Sequence, residues 1–290
     1  MTTGSRRTVT HAVMHASDGT EIPYHLDGDG PETVVLLHGG YGSPEDWSDH
    51  ASRLAAEGFR VVRPYLRGHH GSRLAPGTEV TVERTSQDMV ELLNLLAVER
   101  AHFAGWSYGG AVVLDTARVA GDRIRSLALL NTFAAFRSQS PVRDLGLRLA
   151  STMAGQIFRL PRKLQARVVQ RNMRTMVVNP ARKTRPQLAE AFAESVRHNS
   201  LSPDISALMK AAYHFDARPW LATIRVPALV VTGTKDYIPA VLHRELAAAL
   251  PEGHLDVLPG GRHTLLWDHA DWLADHYLGF LRTGADPTPA

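Results

Sequence analysis

The feature that most constrains this chain is a serine set between glycines, in residues 105–110 (Gly-Trp-Ser-Tyr-Gly-Gly). A short apolar run, residues 101–104, precedes it and predicts a strand, while residues 111–117 predict a helix. A chain that turns this sharply from strand to helix needs residues without a Cβ atom on both sides of the turn. We therefore predict a nucleophile elbow, which raises the Ser107 hydroxyl above a sheet edge at a helix N-terminus. A glycine-rich turn that only packs tightly is the alternative.

Apolar runs alternate with helical patterns along most of the 290 residues, and the 44% hydrophobic content is sufficient for a large core. A continuous apolar run predicts a strand buried on both faces at 33–37. Further strands are predicted at 59–64, 126–130, 226–231 and 254–258. This alternation implies an α/β fold, with a mostly parallel twisted sheet and helices on both faces. The strand pattern stops between 133 and 218. We therefore predict an α/β core, residues 1–132 and 219–290, that carries a helical insertion, residues 133–218.

Candidate partners for Ser107 follow two of these strands. A serine hydroxyl needs a neighbouring base, and the base needs an orienting acid. In an open α/β sheet these groups come from loops at the carboxyl ends of strands. Asp236 follows strand 226–231 and His263 follows strand 254–258, each just before a helix. Alone, Asp236 could be a helix N-cap and His263 a structural histidine. Their joint order predicts a nucleophile, an orienting acid, and a base that later acts as an acid.

The transition state of such a reaction also needs donors for its oxyanion. The backbone N–H of Tyr108, at the start of the elbow helix, is one candidate. A second should come from the loop after strand 33–37, where we choose Gly40 with its neighbours Gly39 and Tyr41. A tight turn without this role is the alternative. Tyr41 and Trp106 are candidate substrate contacts, although either could equally serve in packing.

Together these motifs resemble the α/β-hydrolase superfamily over nearly the full chain. The stretches that carry the resemblance are residues 105–110, His38-Gly39-Gly40, Arg67-Gly68-His69-His70-Gly71-Ser72, Gly233-Thr234-Lys235-Asp236 and Gly261-Arg262-His263. The superfamily often has an aspartate where Tyr65 stands here, and His70 is an additional histidine in the same loop. We interpret both differences as local loop chemistry, with a substrate contact as the alternative.

The resemblance to the serine-nucleophile subset implies a function. It implies hydrolysis of carboxylic esters or thioesters through an acyl-enzyme, without a metal or organic cofactor. A C–C bond hydrolase, or a cofactor-free perhydrolase or haloperoxidase, would use the same triad. A non-catalytic binding protein of this fold is a third possibility. The serine distinguishes the chain from the haloalkane dehalogenases and soluble epoxide hydrolases of this superfamily, whose nucleophile is an aspartate.

The resemblance also implies that the insertion at 133–218 is a lid over the serine. Between residues 137 and 185 it carries twelve Lys or Arg and one acid, Asp144. A helix over 162–177 would place Lys163, Arg167, Arg171 and Arg174 in one stripe. Its other side would carry Leu164, Val168, Val169, Met173, Met176 and Val177. We interpret the stripe as a solvated face, with an acidic carrier protein or an anionic surface as its alternative partner. The glycine-tryptophan-serine form of the elbow is similar to that of carrier-protein methyl-ester esterases.

The apolar residues of the insertion indicate an apolar acyl or aromatic substrate. They are Leu145, Leu149, Met153, Ile157, Phe158, Met173 and Met176.

Composition excludes several other classes of protein. A net charge of +3 does not favour nucleic-acid binding, and the absence of cysteine rules out a thiolate metal site or a cysteine nucleophile. No apolar run reaches the ~18 residues of a membrane span, so we expect a soluble cytoplasmic protein.

Overall fold

A computed structural model describes residues 9–135 and 156–283, together with Val142 and Leu145. Eight strands form one sheet in the order β1-β2-β4-β3-β5-β6-β7-β8. Their bounds are β1 Thr10–His15, β2 Glu21–Asp27, β3 Glu32–Leu37, β4 Phe59–Pro64, β5 Ala101–Trp106, β6 Ile124–Leu130, β7 Ala228–Gly233 and β8 Gly253–Leu258. Strands β3 to β8 are parallel, whereas β2 pairs antiparallel with both β1 and β4. The predicted mostly parallel sheet is therefore confirmed.

Helices cover both faces of this sheet. Outside the segment between β6 and β7, they are α1 Ser48–Ala56, α2 Val82–Leu95, α3 Tyr108–Val119, α8 Ala240–Ala249, α9 Leu265–Asp268 and α10 Ala270–Thr283. Helix α2 packs against α3, and α1 packs against α10. Every residue of β5 and β7 is buried, as expected for inner strands covered on two sides. None of the helices in the described ranges has both the length and the apolar character that crossing a bilayer requires.

The strand order creates a crevice beside Ser107. The chain leaves β3 towards β4 on one side and later returns to β5 on the other. Such a switch point opens a crevice at the carboxyl ends of the two strands, where ligands bind in open α/β sheets. Leu37 at the end of β3 pairs with Gly105 near the end of β5. The loops that follow these two strands therefore lie next to each other.

A helical segment connects β6 to β7. Its described helices are α4 Arg162–Met173, α5 Asn179–Thr184, α6 Pro186–Asn199 and α7 Pro203–His214. All four fall within the predicted insertion at 133–218, and a bridge between Ala135 and Asp216 joins the two ends of the segment. Asp144, Leu149, Met153 and the side chain of Phe158 lie outside the described residues.

The helix expected over 162–177 differs from the prediction at its end. The α-helix stops at Met173, and residues 174–178 continue as a π-helical turn. Because this wider turn changes the rotation per residue, Val177 and Val178 are both buried while Met176 is 52% exposed. Leu164, also expected on the apolar side, is 44% exposed. Two residues of the predicted apolar side are therefore exposed rather than packed against the core. Leu145, counted among the apolar residues of the insertion, is 61% exposed.

Candidate active site

The turn at Ser107 has the strained backbone of a nucleophile elbow. Ser107 has a φ of 55° and a ψ of −117°, a conformation that costs a non-glycine residue about 1–3 kcal/mol. A Cβ atom on Gly105 would lie 2.5 Å from the carbonyl carbon of Gly109, and one on Gly109 would lie 2.5 Å from the carbonyl oxygen of Leu37. Two glycines are therefore required because backbone segments approach each other at both positions.

Hydrogen bonds from β6 and the loop after it hold the strained residue. The N–H of Ser107 donates to the carbonyl of Leu130 over 2.9 Å. The Thr132 hydroxyl donates to the carbonyl of Ser107 over 2.6 Å. Both polar groups of the Ser107 backbone are thus bonded to β6 or to the loop after it, which keeps the turn in place.

Asp236 and His263 form a buried pair beside this turn. Nδ1 of His263 lies 2.8 Å from Oδ1 of Asp236, with side chains 4% and 1% exposed. We assign the proton to Nδ1, since the carboxylate accepts it there. Nε2 then carries the lone pair that a general base needs. The structure therefore brings together the two residues that the chain order predicts as orienting acid and base.

A second histidine lies behind Asp236. Nε2 of the fully buried His243 is 3.7 Å from Oδ2 of Asp236, an oxygen without a hydrogen-bond partner among the described residues. Burial lowers the pKa of His243 to about 4. The imidazole is therefore neutral at physiological pH and adds no charge that would compete for the carboxylate. Nothing in the sequence around His243 distinguished it from other helix residues.

Asn131 joins the two loops that carry the pair. It has a φ of 45° at the end of β6. Its side-chain amide donates to the carbonyls of Arg262 and His263 over 3.0 and 3.1 Å. Its side-chain oxygen accepts the N–H of Gly233 over 3.3 Å. Asn131 thus sets the spacing between the loop of Asp236 and the loop of His263, a role that sequence patterns did not reveal.

Tyr237 stands between the base and the serine. Its hydroxyl donates to Nε2 of His263 over 3.2 Å, and the two rings lie 4.3 Å apart. The side chain of Ser107 acts on the same hydroxyl, since it partly offsets the rise in the pKa of Tyr237. Among the described residues, Ser107 and His263 share no direct hydrogen bond. In place of the predicted contact with the nucleophile, the base is hydrogen-bonded to a tyrosine that the sequence analysis missed.

The candidate oxyanion loop faces the elbow. A Cβ atom on Gly40 would lie 3.0 Å from the sulfur of Met209 and 3.8 Å from Cβ of Tyr108. Tyr41, the next residue, has a φ of 63°. Gly40 and Tyr108 border the same cavity as Ser107. The structure therefore places both candidate donors around the serine.

A small, largely apolar cavity of about 70 Å³ joins these groups. The helices and the π-helical turn of the segment supply five of its lining residues, Met173, Val177, Phe192, Met209 and Ala212. Tyr41 and Trp106, the candidate substrate contacts, both line it. Trp106 also has a structural bond, since its indole N–H donates to the carbonyl of His263 over 2.9 Å. Ligand sites usually have a volume of about 300–1,000 Å³, so this cavity is smaller than usual.

A family model described as the alpha/beta hydrolase fold matches residues 32–270 of the chain. The chain belongs to the α/β-hydrolase family.

Individual relatives of this α/β-hydrolase carry different names. The acetyltransferase component of an acetoin cleaving system from Pseudomonas putida is 30% identical over 263 residues, or 89% of this chain and 66% of that protein. A 2-hydroxy-6-oxo-6-phenylhexa-2,4-dienoate hydrolase from Burkholderia cepacia is 25% identical, over 90% of this chain and 91% of that one. The structure of an enol-lactonase from Burkholderia xenovorans LB400 superposes with a TM-score of 0.77 at 26% identity, covering 93% of this chain and all of that one.

The departures from the family pattern lie outside the cavity of this α/β-hydrolase. The Tyr65 hydroxyl donates to the Glu45 carboxylate over 3.5 Å. The N–H of His70 donates to the side-chain oxygen of Asn199 over 2.7 Å, and the His70 ring stacks on His198. Neither Tyr65 nor His70 lines the cavity around Ser107. These contacts fit the interpretation as loop chemistry, which links the core to helix α6.

The arginine of the same loop, Arg67, forms buried ion pairs that hold the loop in place. Arg67 is fully buried and pairs with Asp88 over 2.8 Å and with Asp18 over 2.7 Å. His38, in the loop after β3, accepts the N–H of Leu66 at Nε2 over 3.0 Å. These bonds tie the loop after β4 to the candidate oxyanion loop. In the described part of this α/β-hydrolase, no group of three or more His, Asp or Glu side chains is arranged to hold a metal ion.

Proposed function

We propose that the protein is a serine hydrolase that cleaves carboxylic ester or thioester bonds of an apolar acyl or aromatic substrate. The observation that carries the proposal is the buried Asp236–His263 pair, with its 2.8 Å hydrogen bond, beside a serine in a strained elbow. The apolar lining of the cavity supports an apolar acyl or aromatic group. The helical segment would act as a lid, because side chains from three of its helices and the π-helical turn cover Ser107.

In the proposed reaction, the Tyr237 hydroxyl first moves away from Nε2 of His263, and the groups of the site then act in turn. Nε2 of His263 takes the proton of Ser107, whose oxygen attacks the carbonyl carbon. The N–H groups of Gly40 and Tyr108 hold the oxyanion. Nε2 then protonates the leaving alcohol or thiol, and an acyl-enzyme remains. Water, deprotonated by the same nitrogen, attacks the acyl carbon, and Nε2 returns that proton to the Ser107 oxygen as the acid is released.

Labelling with a fluorophosphonate probe tests the nucleophile directly. We expect wild-type protein to gain one probe mass in an intact-mass measurement, and Ser107→Ala to gain none. With short- and medium-chain esters, kcat should fall by at least ~10⁴-fold in Ser107→Ala, because the nucleophile and base act as a unit. A folded wild-type protein that stays unlabelled at Ser107, or equal ester rates in both proteins, would contradict the proposal.

A second candidate is a C–C bond hydrolase with the same residues. It is favoured by the relative from Burkholderia cepacia, which is named as a hydrolase of a 2-hydroxy-6-oxo-dienoate. Comparing kcat/KM for a vinylogous diketone of this kind with kcat/KM for an ester of similar size separates the two. A much larger value for the diketone, lost in Ser107→Ala, would replace ester cleavage as the principal activity.

A further inference from the structure

The Tyr237 hydroxyl occupies the point through which the reaction must pass. It lies 3.2 Å from Nε2 of His263, and Tyr237, His263 and Ser107 line the same cavity. An ester oxygen that leaves from a carbon bonded to Ser107 must receive its proton from the same Nε2. The leaving oxygen and the tyrosine oxygen therefore need one and the same position.

The tyrosine hydroxyl is a donor in this position. Desolvation of its hydroxyl end, followed by the negative charge of Asp236, raises the pKa of Tyr237 above its ordinary range. The phenol therefore stays protonated and donates to the Nε2 lone pair. While this bond exists, the lone pair cannot accept the proton of Ser107. The Tyr237 hydroxyl thus competes with the Ser107 hydroxyl for Nε2 of His263.

We propose that Tyr237 occupies the leaving-group position between Ser107 and His263, and that a substrate must displace its hydroxyl before Ser107 is activated. Tyr237 is then a specificity-determining residue, since each leaving group must fit beside the ring that it displaces. The inference rests on the serine-hydrolase function proposed above.

The surroundings of Tyr237 allow this displacement. The residue is 46% exposed, so its ring can move outward without opening the core. The preceding residue is held separately, since the N–H of Asp236 donates to the carbonyl of Gly233 and Oδ1 of Asp236 accepts the N–H of Ile238. Movement of the tyrosine ring therefore leaves the Asp236–His263 pair intact.

Tyr237→Phe tests the competition, because it keeps the ring and removes the hydroxyl. A net hydrogen bond of ordinary strength that must be broken before binding reduces apparent affinity by about 2- to 10-fold. We expect the variant to show a KM for a short-chain ester that is lower by this factor, with kcat within about twofold of wild type. Labelling of Ser107 by a fluorophosphonate at low probe concentration should accelerate by the same factor. A structural role would lower the melting temperature without this split between KM and kcat.

Two further variants complete the experiment. Tyr277→Phe removes a buried hydroxyl that has no hydrogen-bond partner in the described residues and does not line the cavity, so its kinetics should equal those of wild type. Tyr237→Ala also removes the ring. It should raise kcat/KM for esters of bulky alcohols relative to methyl esters of the same acid, whereas Tyr237→Phe should raise both alike.

The outcomes separate this inference from the function on which it rests. Equal or slower labelling in Tyr237→Phe, with Ser107 still labelled, overturns the inference and leaves the serine hydrolase standing. A loss of kcat in Tyr237→Phe would instead make the hydroxyl a catalytic group and would equally overturn it. Absence of labelling at Ser107 in both folded proteins overturns the proposed function and the inference with it.

Discussion

The close approach of neighbouring backbone segments, rather than side-chain chemistry, decides which residues can stand beside Ser107 in the chain. The strained φ of this residue persists because both of its backbone polar groups are bonded to the end of β6 and the loop after it. Gly105 and Gly109 leave room for the carbonyl groups that cross there. The turn thus requires the glycines of the motif for steric reasons. Its consequence is the position of the serine hydroxyl.

Gly105→Ala tests this steric requirement. The new Cβ would lie within 2.6 Å of the Gly110 nitrogen, so the elbow must shift, and we expect a loss of about 3 kcal/mol in the free energy of unfolding. Urea denaturation measures it. The matched control is Gly121→Ala, where nothing lies within 4 Å of the new Cβ and the change should stay within about 1 kcal/mol. Equal stabilities for the two variants would refute the steric account.

At the scale of elements, the helical segment closes the crevice that the strand order opens. Phe192 of helix α6 packs against both Trp106 and Trp267, with ring centroids 5.7 and 5.2 Å away. It joins the segment to the core and also narrows the cavity. On the outside of helix α4 the basic side chains Lys163, Arg167 and Arg171 are exposed, followed by Arg174 in the π-helical turn. An acidic carrier protein or an anionic surface as their partner stays a prediction.

Phe192→Ala should widen the cavity at a cost in stability. Removing a buried phenylalanine side chain costs about 3–5 kcal/mol where the site cannot collapse. If the protein is the proposed hydrolase, the new space should raise kcat/KM for an octanoyl ester relative to an acetyl ester by about tenfold. A melting curve measures the stability, and ester kinetics measure the ratio. A lower melting temperature with an unchanged ratio would mean that Phe192 supports the fold without limiting the acyl group.

Across the whole molecule, buried histidines make stability depend on pH. Burial lowers the pKa of His69, His102 and His243 to about 4, whereas the unfolded chain keeps the ordinary value of about 6.5. Between these values the unfolded state binds more protons than the folded state. Their contribution to stability is therefore complete above about pH 6.5 and is lost as the pH falls towards 4.

The pH dependence of stability can be measured at His102, which lies away from the candidate site. This residue is in β5, with Nδ1 2.7 Å from the Ser126 hydroxyl. From its lowered pKa, wild type should lose about 2 kcal/mol more than His102→Gln when the pH falls from 8 to 5. Urea denaturation at the two pH values gives both differences. The control is His15→Gln, at an exposed position in β1, which should keep the wild-type dependence. An unchanged dependence in His102→Gln would show that this histidine does not contribute.

The sequence by itself determined the fold family and the order of the candidate catalytic residues. Buried strands, helix periodicity and glycine turns are local properties, so the predicted strand 126–130 agrees with β6 to within two residues at its start. Asp236 and His263 could be identified because the carboxyl ends of parallel strands share one edge of the sheet. The regular helix over 162–177 could not be corrected from sequence, since the π-helical turn depends on packing against neighbouring helices.

Only the tertiary structure decided what lies between the base and the serine. Tyr237 follows Asp236 directly in the chain, yet its hydroxyl meets His263 from the loop after β8 and Ser107 from the end of β5. The same holds for Asn131, His243 and the closure of the cavity by Met209. Contacts between segments far apart in sequence depend on how the sheet, loops and helical segment pack together. No local pattern of residue types encodes that packing.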